Sequence, residues 1–364
     1  MKSIIAMIEN YKFSNDPREL GIAGLAATAR KVEEVGFDWI LTAETRGQDP
    51  FFPLLIAAEH TKRIGLFTGI AVAFPRVPMV TAQMAWDLQR LSGGRFHLGL
   101  GTQVKGHNER RYSVPWDVPP GPRMREYVQC LHAIFKTFQD NEHPTFFEGK
   151  YYRYTMAPPV LTGLPIAHPH VPIVLGTVSP YLAELSGELC DGVFPHPVCT
   201  AKYIRERIIP AVEAGARKTG RTLADFDIIG SPIIVTYKNA KEKAREWDLL
   251  KRRVSFYAST RTYHRVFKVH GWKELGMRLH ALSLEGKWEE MVKLIPDEMA
   301  EEFGTIGYID EIGPMLKERW GGLITTINFP TDFPLSTSED ERHIADSISL
   351  LHGVPGPALA GTAH

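Results

Sequence analysis

The sequence predicts an α/β fold, an eight-stranded parallel barrel of the TIM type, from three observations. Short apolar runs alternate with helical patterns along most of the 364 residues. The runs are continuously apolar rather than alternating, which is typical of strands buried on both faces. There are eight of them, and eight strand–helix units that close on each other form this barrel. A doubly wound open sheet is the alternative, but the first run is followed by Glu9-Asn10-Tyr11-Lys12, without a glycine-rich dinucleotide turn.

The predicted strands follow helix stops. Glycine or a polar pair ends the preceding helix at Gly36, at Ser92-Gly93-Gly94 and at Gly321-Gly322, because glycine readily adopts the left-handed conformation of a helix end. The clearest unit runs from a strand at 64–70 through a helix at 79–91 to a strand at 96–100. The eight predicted strands are residues 4–8, 37–41, 64–70, 96–100, 172–175, 192–194, 228–235 and 323–329.

Three regions exceed a minimal barrel. Residues 106–122 form a predicted long loop after strand 4, and residues 146–154 (FFEGKYYRY) form a predicted aromatic hairpin. Residues 236–307 form a predicted helical insertion between strands 7 and 8, where long insertions commonly shape the active face. We therefore expect a single domain over residues 1–352 and a flexible Pro/Gly/Ala-rich tail over residues 353–364.

The composition excludes several classes of protein. Lys and Arg (42) balance Asp and Glu (42), so no basic excess indicates nucleic acid. The cysteines, Cys130, Cys190 and Cys199, have no metal-ligand spacing and are too sparse for a disulfide framework. No segment approaches the ~20 apolar residues of a membrane helix, and the run at 4–8 is too short for a signal-peptide core. We expect a cytoplasmic protein without nucleic-acid or membrane partners.

In such barrels the active site lies at the carboxyl ends of the strands. The residues at these predicted ends are polar but carry few charges, and they lack the clustered ligands of a metal hydrolase. His168-Pro169-His170 has a metal-like spacing, yet it lies before strand 5, at the opposite face. We therefore predict no metal site. The strand-end residues are Glu9, Thr42 to Glu44, Gly69, Ile70, Thr102, Gln103, Gly176, Thr177, His196 and Asn328.

The segment IVLGTVSP, residues 173–180, predicts a strand, a tight turn and a helix start. Ser179 suits the N-cap and Pro180 the first helical position. Gly176 lets the backbone approach a ligand, and the free N–H groups of a helix start can hold a phosphate. An ordinary capped connection is the alternative, because helix caps are far commoner than ligand sites. Gly101, within GLGTQ, offers a similar close approach at the end of strand 4.

Three titratable residues are candidates for proton transfer: Glu44 after strand 2, His107 in the long loop and His196 after strand 6. A partly buried carboxylate can act as an acid or a base, and histidine titrates near neutral pH. The alternative for Glu44 is a salt bridge to Arg46 or to another arginine at the barrel mouth. The alternative for each histidine is an ordinary hydrogen-bonded loop residue.

Several segments together resemble the bacterial luciferase-like family. They are Glu44 with Asp49-Pro50-Phe51, the stretch AAEHTKRIGLFTGIAVAFPRVPMVTAQMAWDLQRLSGGRFHLGLGTQV, the Gly176-Thr177 turn and Cys190-Asp191-Gly192. The similarity covers most of the chain and is weakest over residues 238–308. Within the family, GTQVKGHNERRYSVPW and PRMREYV are most similar to the branch that uses the deazaflavin coenzyme F420.

The resemblance implies a homodimer with the cofactor ring in the barrel mouth. It also implies a cis peptide bond at Gly69-Ile70 behind the ring and a phosphate at Gly176-Thr177. Luciferase-type monooxygenases often carry histidine directly after the strand-2 glutamate, where this chain has Thr45, so the resemblance favours hydride transfer. With the strand ends, the predicted cofactor contacts are Thr42, Gly69, Ile70, Gly101, Thr102, Gln103, Gly176, Thr177 and Val178.

The expected function is an F420-dependent oxidoreductase that transfers a hydride between the deazaflavin C5 and a small organic substrate. The cofactor supplies the difficult chemistry, and the protein supplies position and a proton from Glu44, His107 or His196. One alternative is an FMN-dependent two-component monooxygenase. A second is a non-catalytic flavin- or deazaflavin-binding protein, because fold does not determine function. A metal-dependent hydrolase is the most distant alternative.

Overall fold

Eight parallel strands close into a barrel, which confirms the predicted fold class. The computed structural model describes residues 1–6, 21–45, 48–329 and 337–359. Each barrel strand pairs with its neighbours along the chain, and the last strand pairs with the first. The barrel strands are β1 Lys2–Ala6, β2 Trp39–Thr42, β3 Gly65–Thr68, β4 Phe96–Gly101, β5 Ile173–Thr177, β6 Gly192–Pro195, β7 Asp227–Gly230 and β8 Thr326–Phe329.

The apolar residues form two layers. The larger one lies between the strands and the helices. The smaller one fills the barrel, where the rings of Phe67 and Phe194 meet edge to face at 5.6 Å between centroids. Because side chains fill the interior, the barrel is a packed core, and a ligand has room only at its ends. The interior side chains are Ile4, Leu41, Phe67, Val174, Phe194 and Ile229.

The helices surround the barrel and build the insertion. Left-handed glycines end two of them as predicted, Gly36 with φ 103° and Gly93 with φ 66°. No helix within the described ranges is long and apolar enough to span a membrane. The α-helices of at least six residues are Ile22–Val35, Phe51–His60, Pro78–Leu91, Lys105–Arg111, Pro120–Gln139, Pro180–Leu189, Ile209–Thr219, Ala240–Ser259, His264–Val269, Lys273–Leu284, Trp288–Lys293, Asp297–Phe303, Ile312–Trp320 and Ser338–Leu351.

The predicted strand at 228–235 is wrong as a single element. β7 ends at Gly230, and Ile233–Tyr237 forms a separate parallel pair with Gly304–Tyr308 outside the barrel. Pro232 lies between the two strands, and proline cannot donate to a ladder of backbone hydrogen bonds. The region predicted as a helical insertion therefore combines helices with this strand pair.

Other boundaries also differ. The strand predicted at 64–70 ends at Thr68, and a short strand, Ala71–Val72, follows. The predicted loop at 106–122 is wrong at both ends, because the helix Lys105–Arg111 covers its first residues and the helix Pro120–Gln139 its last ones. Lys105 and Glu109 of the first helix are spaced for an i,i+4 ion pair. The aromatic hairpin is confirmed by an antiparallel pair of two-residue strands within 146–154.

The first residue contacts the segment that follows the last described helix. The N-terminal ammonium donates a hydrogen bond to the Val354 carbonyl at 2.5 Å, and Val354 and Leu359 are buried. The flexible tail stays a prediction, since residues 360–364 lie outside the described part of the chain. So do residues 7 and 8 of the first predicted strand, Glu9, and Arg46, one of the proposed partners of Glu44.

Candidate active site at the carboxyl end of the barrel

A cavity of about 920 Å³ opens at the carboxyl ends of the strands. The ends of β2 to β6 and β8 form its floor, and the helices Lys105–Arg111 and Ala240–Ser259 contribute side chains to its walls. A cavity of this size is in the range of a cofactor or drug-sized ligand site. The predicted site residues that line it are Glu44, Gly69, Ile70, Gly101, Thr102, Gln103, Gly176, Thr177, Val178 and His196, together with Asn328.

Two predicted site residues do not line this cavity. Thr42 is fully buried, and its hydroxyl donates to the Pro50 carbonyl at 2.5 Å. Its neighbour Leu41 belongs to the barrel interior, so strand alternation directs Thr42 towards the helices. His107 is exposed on its helix, whose buried residue is Asn108. The structure thus gives Thr42 a structural contact and places His107 on the exposed side of its helix, outside the cavity lining.

Ile70 projects between two glycines at the floor of the cavity. A Cβ atom at Gly101 would lie 2.6 Å from Ile70 Cδ1, and one at Gly176 would lie 2.8 Å from Ile70 Cγ2. These distances are too short for a real Cβ, so both glycines leave room for the Ile70 side chain. Gly176 also lines the cavity, so the close approach of a ligand expected there stays a prediction. The Gly69–Ile70 peptide bond is cis, as the resemblance implies.

The turn after β4 is held by Asn108, a residue that sequence reasoning missed. Gln103 has φ 55°, which is uncommon for a residue other than glycine. Its Oε1 accepts from the Val104 N–H at 2.9 Å. Asn108 Nδ2 donates to the carbonyls of Thr102 and Val104 at 2.9 and 3.1 Å. The available signal was an asparagine in the short charged segment directly after the glycine-rich strand end.

The turn after β5 ends in a helix start that its own side chain does not cap. Ser179 occupies the N-cap position as predicted, but its side chain makes no capping hydrogen bond. The Ser179 N–H donates to Thr177 Oγ1 at 2.7 Å, and the Tyr203 hydroxyl donates to the Val178 carbonyl at 2.8 Å. Tyr181 and Leu182 of the first turn also line the cavity. The positive end of this helix is thus available to an anion.

Glu44 is part of a buried ionic network, which confirms the salt-bridge alternative. Its Oε2 accepts from Arg76 Nη1 at 2.6 Å and from the Val72 N–H at 2.8 Å, and its Oε1 accepts from Tyr112 at 3.1 Å. Arg76 Nη2 also reaches Asp49 at 2.8 Å. Burial alone would lower the pKa of Arg76, but the two carboxylates raise it. Burial and the Glu44 carboxylate raise the pKa of Tyr112.

His196 is held in an apolar wall with its two ring nitrogens already engaged. Its Nδ1 accepts from the Val198 N–H at 3.2 Å, and its Nε2 lies 3.1 Å from the Tyr263 hydroxyl oxygen. The rings of Tyr257 and Tyr263 pack against it at 5.4 and 4.7 Å between centroids. Burial lowers the pKa of His196 to about 4, so the ring is neutral at physiological pH.

The cavity has a positively charged rim. Arg253 and Arg265 line it from the insertion, and Lys105 lines it beside the β4 turn. Glu44 is the one acidic residue among the described residues of the lining, and Arg76 already neutralises it. Lys105 lies 3.8 Å from Glu109. The rim therefore carries an excess of positive charge that suits an anionic ligand.

A family model and two related sequences match most of the chain. The family model described as luciferase-like monooxygenase matches residues 5–325. An uncharacterized protein of Mycobacterium tuberculosis is 40% identical over 311 residues, which cover 85% of this chain and 90% of that protein. A second protein of that organism, whose name suggests a coenzyme F420-dependent oxidoreductase, is 29% identical over 77% of this chain and 82% of its own.

A solved structure has the same fold. The coenzyme F420-dependent tetrahydromethanopterin reductase of Methanopyrus kandleri superposes with a TM-score of 0.73 and covers 97% of both chains at 20% identity. The region that the family model matches contains the strands β2 to β7 and the insertion. The chain belongs to the luciferase-like monooxygenase family.

Proposed function

We propose that this protein is an F420-dependent oxidoreductase that transfers a hydride between the deazaflavin and a small organic substrate. The observation that carries the proposal is the cavity at the carboxyl end of the barrel, with its uncapped helix start and its positively charged rim. Oxidoreductase chemistry is common to the family, and the relative whose name suggests F420 dependence supports this cofactor.

The residues that are present fit such a group. The floor around Ile70 is apolar, and it can support one face of a planar ring. The helix start at Pro180 can receive the phosphate, because its first N–H groups are not capped by Ser179. Arg253 and Arg265 can pair with the carboxylates at the far end of the cofactor. When bound, the deazaflavin supplies a carbon, C5, that gives or takes a hydride.

FMN-dependent oxygenation is the second candidate, favoured by the family's own description. FMN also carries a phosphate, so the helix start at Pro180 serves either cofactor. Thr45 stands where luciferase-type monooxygenases often have histidine, and this departure supports hydride transfer over oxygenation. A non-catalytic binding protein would use the same cavity, and the absence of turnover despite tight binding would identify it.

A fluorescence titration of the purified protein with F420 and, separately, with FMN tests the cofactor. We expect F420 to bind with a micromolar or lower Kd and FMN to bind at least tenfold more weakly. Arg253→Gln should weaken F420 binding about tenfold, the effect of losing one charge-assisted contact. Arg252→Gln is the matched control, because Arg252 pairs with Asp248 and Glu289 outside the cavity. Tight FMN binding without F420 binding would overturn the proposal.

We also propose that the protein is a homodimer. The helices Phe51–His60 and Pro78–Leu91 pack against each other. Each of them exposes large apolar side chains to solvent. Phe52 is 70% exposed and Val80 is 43% exposed. Exposed apolar patches of this kind mark protein interfaces. Light scattering of Phe52→Glu should show a shift towards monomer, whereas Leu284→Glu, at an exposed position in the insertion, should not change the mass. An unchanged mass for Phe52→Glu would contradict this interface.

A further inference from the structure

We infer that Tyr263 is the residue that protonates the substrate oxygen, with His196 as its positioning residue, and that the substrate class is a carbonyl compound or the corresponding alcohol. The inference rests on the proposed function and deepens it. It depends on the geometry of the His196–Tyr263 pair in the cavity wall. Tyr263 takes this role in place of the three proton donors expected from the sequence, Glu44, His107 and His196. Each of the three is unsuitable for a structural reason.

Glu44 and His107 are unsuitable because of where they lie. Both oxygens of Glu44 already accept hydrogen bonds, Oε2 from Arg76 at 2.6 Å and Oε1 from Tyr112 at 3.1 Å. The carboxyl group is therefore engaged by the protein and is not directed at a ligand. His107 is exposed on its helix and does not line the cavity.

The hydrogen bonds of His196 decide which of its nitrogens carries the proton. The Val198 N–H donates to Nδ1, so Nδ1 presents its lone pair. In a neutral imidazole the proton is then on Nε2. Nε2 lies 3.1 Å from the Tyr263 hydroxyl, so the Nε2–H donates to that oxygen. His196 therefore points its proton at Tyr263 and not into the cavity.

Tyr263 is left with a hydroxyl proton that has no acceptor. Its oxygen accepts from His196, and within the described ranges no second partner of the hydroxyl is found. Tyr263 lies in the short 3₁₀ turn Arg261–Tyr263, where its N–H donates to the Thr260 carbonyl at 2.9 Å. It lines the cavity together with His196. The O–H can thus be directed at a ligand oxygen in the cavity.

Tyr263 supplies the proton that reduction of a carbonyl group requires. In the reductive direction a hydride reaches the carbonyl carbon, the π electron pair moves to oxygen, and that oxygen takes the Tyr263 proton. The resulting tyrosinate is stabilised by the His196 Nε2–H and regains its proton from solvent. In the oxidative direction the same proton returns, and the alcohol carbon gives the hydride to the oxidised cofactor. A positioned acid of this kind contributes roughly 100- to 10,000-fold to the rate.

The pH dependence distinguishes Tyr263 from His196. Tyr263 faces His196, Tyr257 and Cys199, and burial, followed by the influence of Tyr257 and Cys199, raises its pKa to about 12. A Tyr263 donor stays protonated from pH 6 to pH 9, so carbonyl reduction should not change with the ionisation of the donor over that range. A His196 donor, with its pKa lowered to about 4 by burial, would give rates that fall tenfold for each pH unit.

The first arm of the test needs no cofactor. Long-range ¹H–¹⁵N NMR of ¹⁵N-histidine-labelled protein, with His196→Asn to assign the signals, reports which ring nitrogen of His196 carries the proton. We expect a protonated Nε2 and a bare Nδ1, and we expect Tyr263→Phe to shift the Nε2–H signal. A proton on Nδ1 overturns the inference whatever the cofactor is.

The second arm measures anaerobic oxidation of reduced F420 with acetone, butanone and cyclohexanone as probe carbonyls. Tyr263→Phe should lower kcat about 100-fold or more while the Kd for F420 stays within about twofold. Tyr257→Phe, the neighbouring tyrosine of the same wall, should lose less than tenfold. Equal losses in the two variants, or near-normal kcat in Tyr263→Phe, overturn the inference.

The two proposals fail in different ways. If F420 does not bind, the proposed function fails. If F420 binds but none of the three carbonyls oxidises its reduced form, the proposed cofactor stands and the carbonyl substrate class is overturned.

Discussion

The Glu44 carboxylate lies 2.6 Å from the Arg76 guanidinium, and their side chains are only 8% and 17% exposed. This ion pair joins the end of β2 to the segment after β3, because Glu44 also accepts from the Val72 N–H. It holds the two chain segments that flank Ile70. Glu44 therefore shapes the floor of the cavity through these contacts.

Replacing Glu44 should mainly affect stability. Glu44→Gln leaves Arg76 with one carboxylate, Asp49, and should lower the free energy of unfolding by about 2 kcal/mol, less than the full loss of a buried pair. Urea denaturation measures this value. Glu109→Gln is the control, because its pair with Lys105 is exposed and worth only about 0.5 kcal/mol. Equal effects of the two substitutions would contradict the buried network.

The two glycines around Ile70 should be coupled to it. Gly176→Ala places a methyl group 2.8 Å from Ile70 Cγ2, so Ile70 must move and cofactor affinity should fall about tenfold or more. In an Ile70→Ala background the same substitution should have little further effect, because the clash is gone. Gly21→Ala, with open space around it, is the control. Additive losses in the double variant would show that Gly176 does not act through Ile70.

Stability should fall on mild acidification because of His196. Its pKa is about 4 in the folded protein and about 6.5 in the unfolded chain. The unfolded chain therefore binds the proton first, and the contribution of His196, complete above pH 6.5, is lost as the pH falls towards 4. Between pH 7 and pH 5 it should decrease by about 2 kcal/mol.

Chemical denaturation of wild type and His196→Asn at both pH values measures this term. The difference between the two proteins should shrink by that amount at pH 5, and His107→Asn should not reproduce the change. His170 acts in the opposite direction, because its hydrogen bond to Asp191 raises its pKa, so its stabilisation is present at low pH and lost as the pH rises. A pH-independent difference for His196→Asn would show that the ring is not buried as a neutral group.

The β4 turn should depend on Asn108. Asn108→Leu keeps the approximate volume but removes both donors to the Thr102 and Val104 carbonyls. The partly buried Thr102 carbonyl then loses this donor at a cost of about 1–3 kcal/mol, whereas the Val104 carbonyl still accepts from the backbone N–H groups of residues 107 and 108. We expect lower stability in urea and weaker cofactor binding, since Gln103 lines the cavity. Unchanged affinity for either cofactor would show that this turn does not contact the ligand.

The barrel and the residues at its strand ends could be predicted from the sequence, because short local patterns indicate where each strand begins and ends. Continuous apolar runs and helix-ending glycines such as Gly36 encode strand order directly. Pro232 is a signal in the sequence that the predicted strand at 228–235 is interrupted. The apolar residues on both sides of it favour one continuous strand, and this is why the break was not predicted. Gly101 and Gly176 line the cavity as strand-end residues, but Ile70, a residue distant from both in sequence, fills the space beside them.

The partners of the site could not be read from the sequence. Arg76 and Tyr112 reach Glu44 across the barrel mouth, and Tyr263 reaches His196 across 67 residues. Such pairs depend on how the insertion folds back over the strands, which no local periodicity records. The insertion is also the region where the family resemblance is weakest, so the resemblance did not supply Tyr263 or Arg253 either.

Oxygen dependence tests the central claim most directly. Stopped-flow absorbance should follow the oxidation of protein-bound reduced F420 by a probe carbonyl in the strict absence of oxygen, beside the same protein with reduced FMN and air. Hydride transfer predicts anaerobic turnover with F420 that oxygen does not accelerate, and only slow, unproductive oxidation of reduced FMN. Product formation that requires both reduced FMN and oxygen, with none from reduced F420, would contradict the account and identify a monooxygenase.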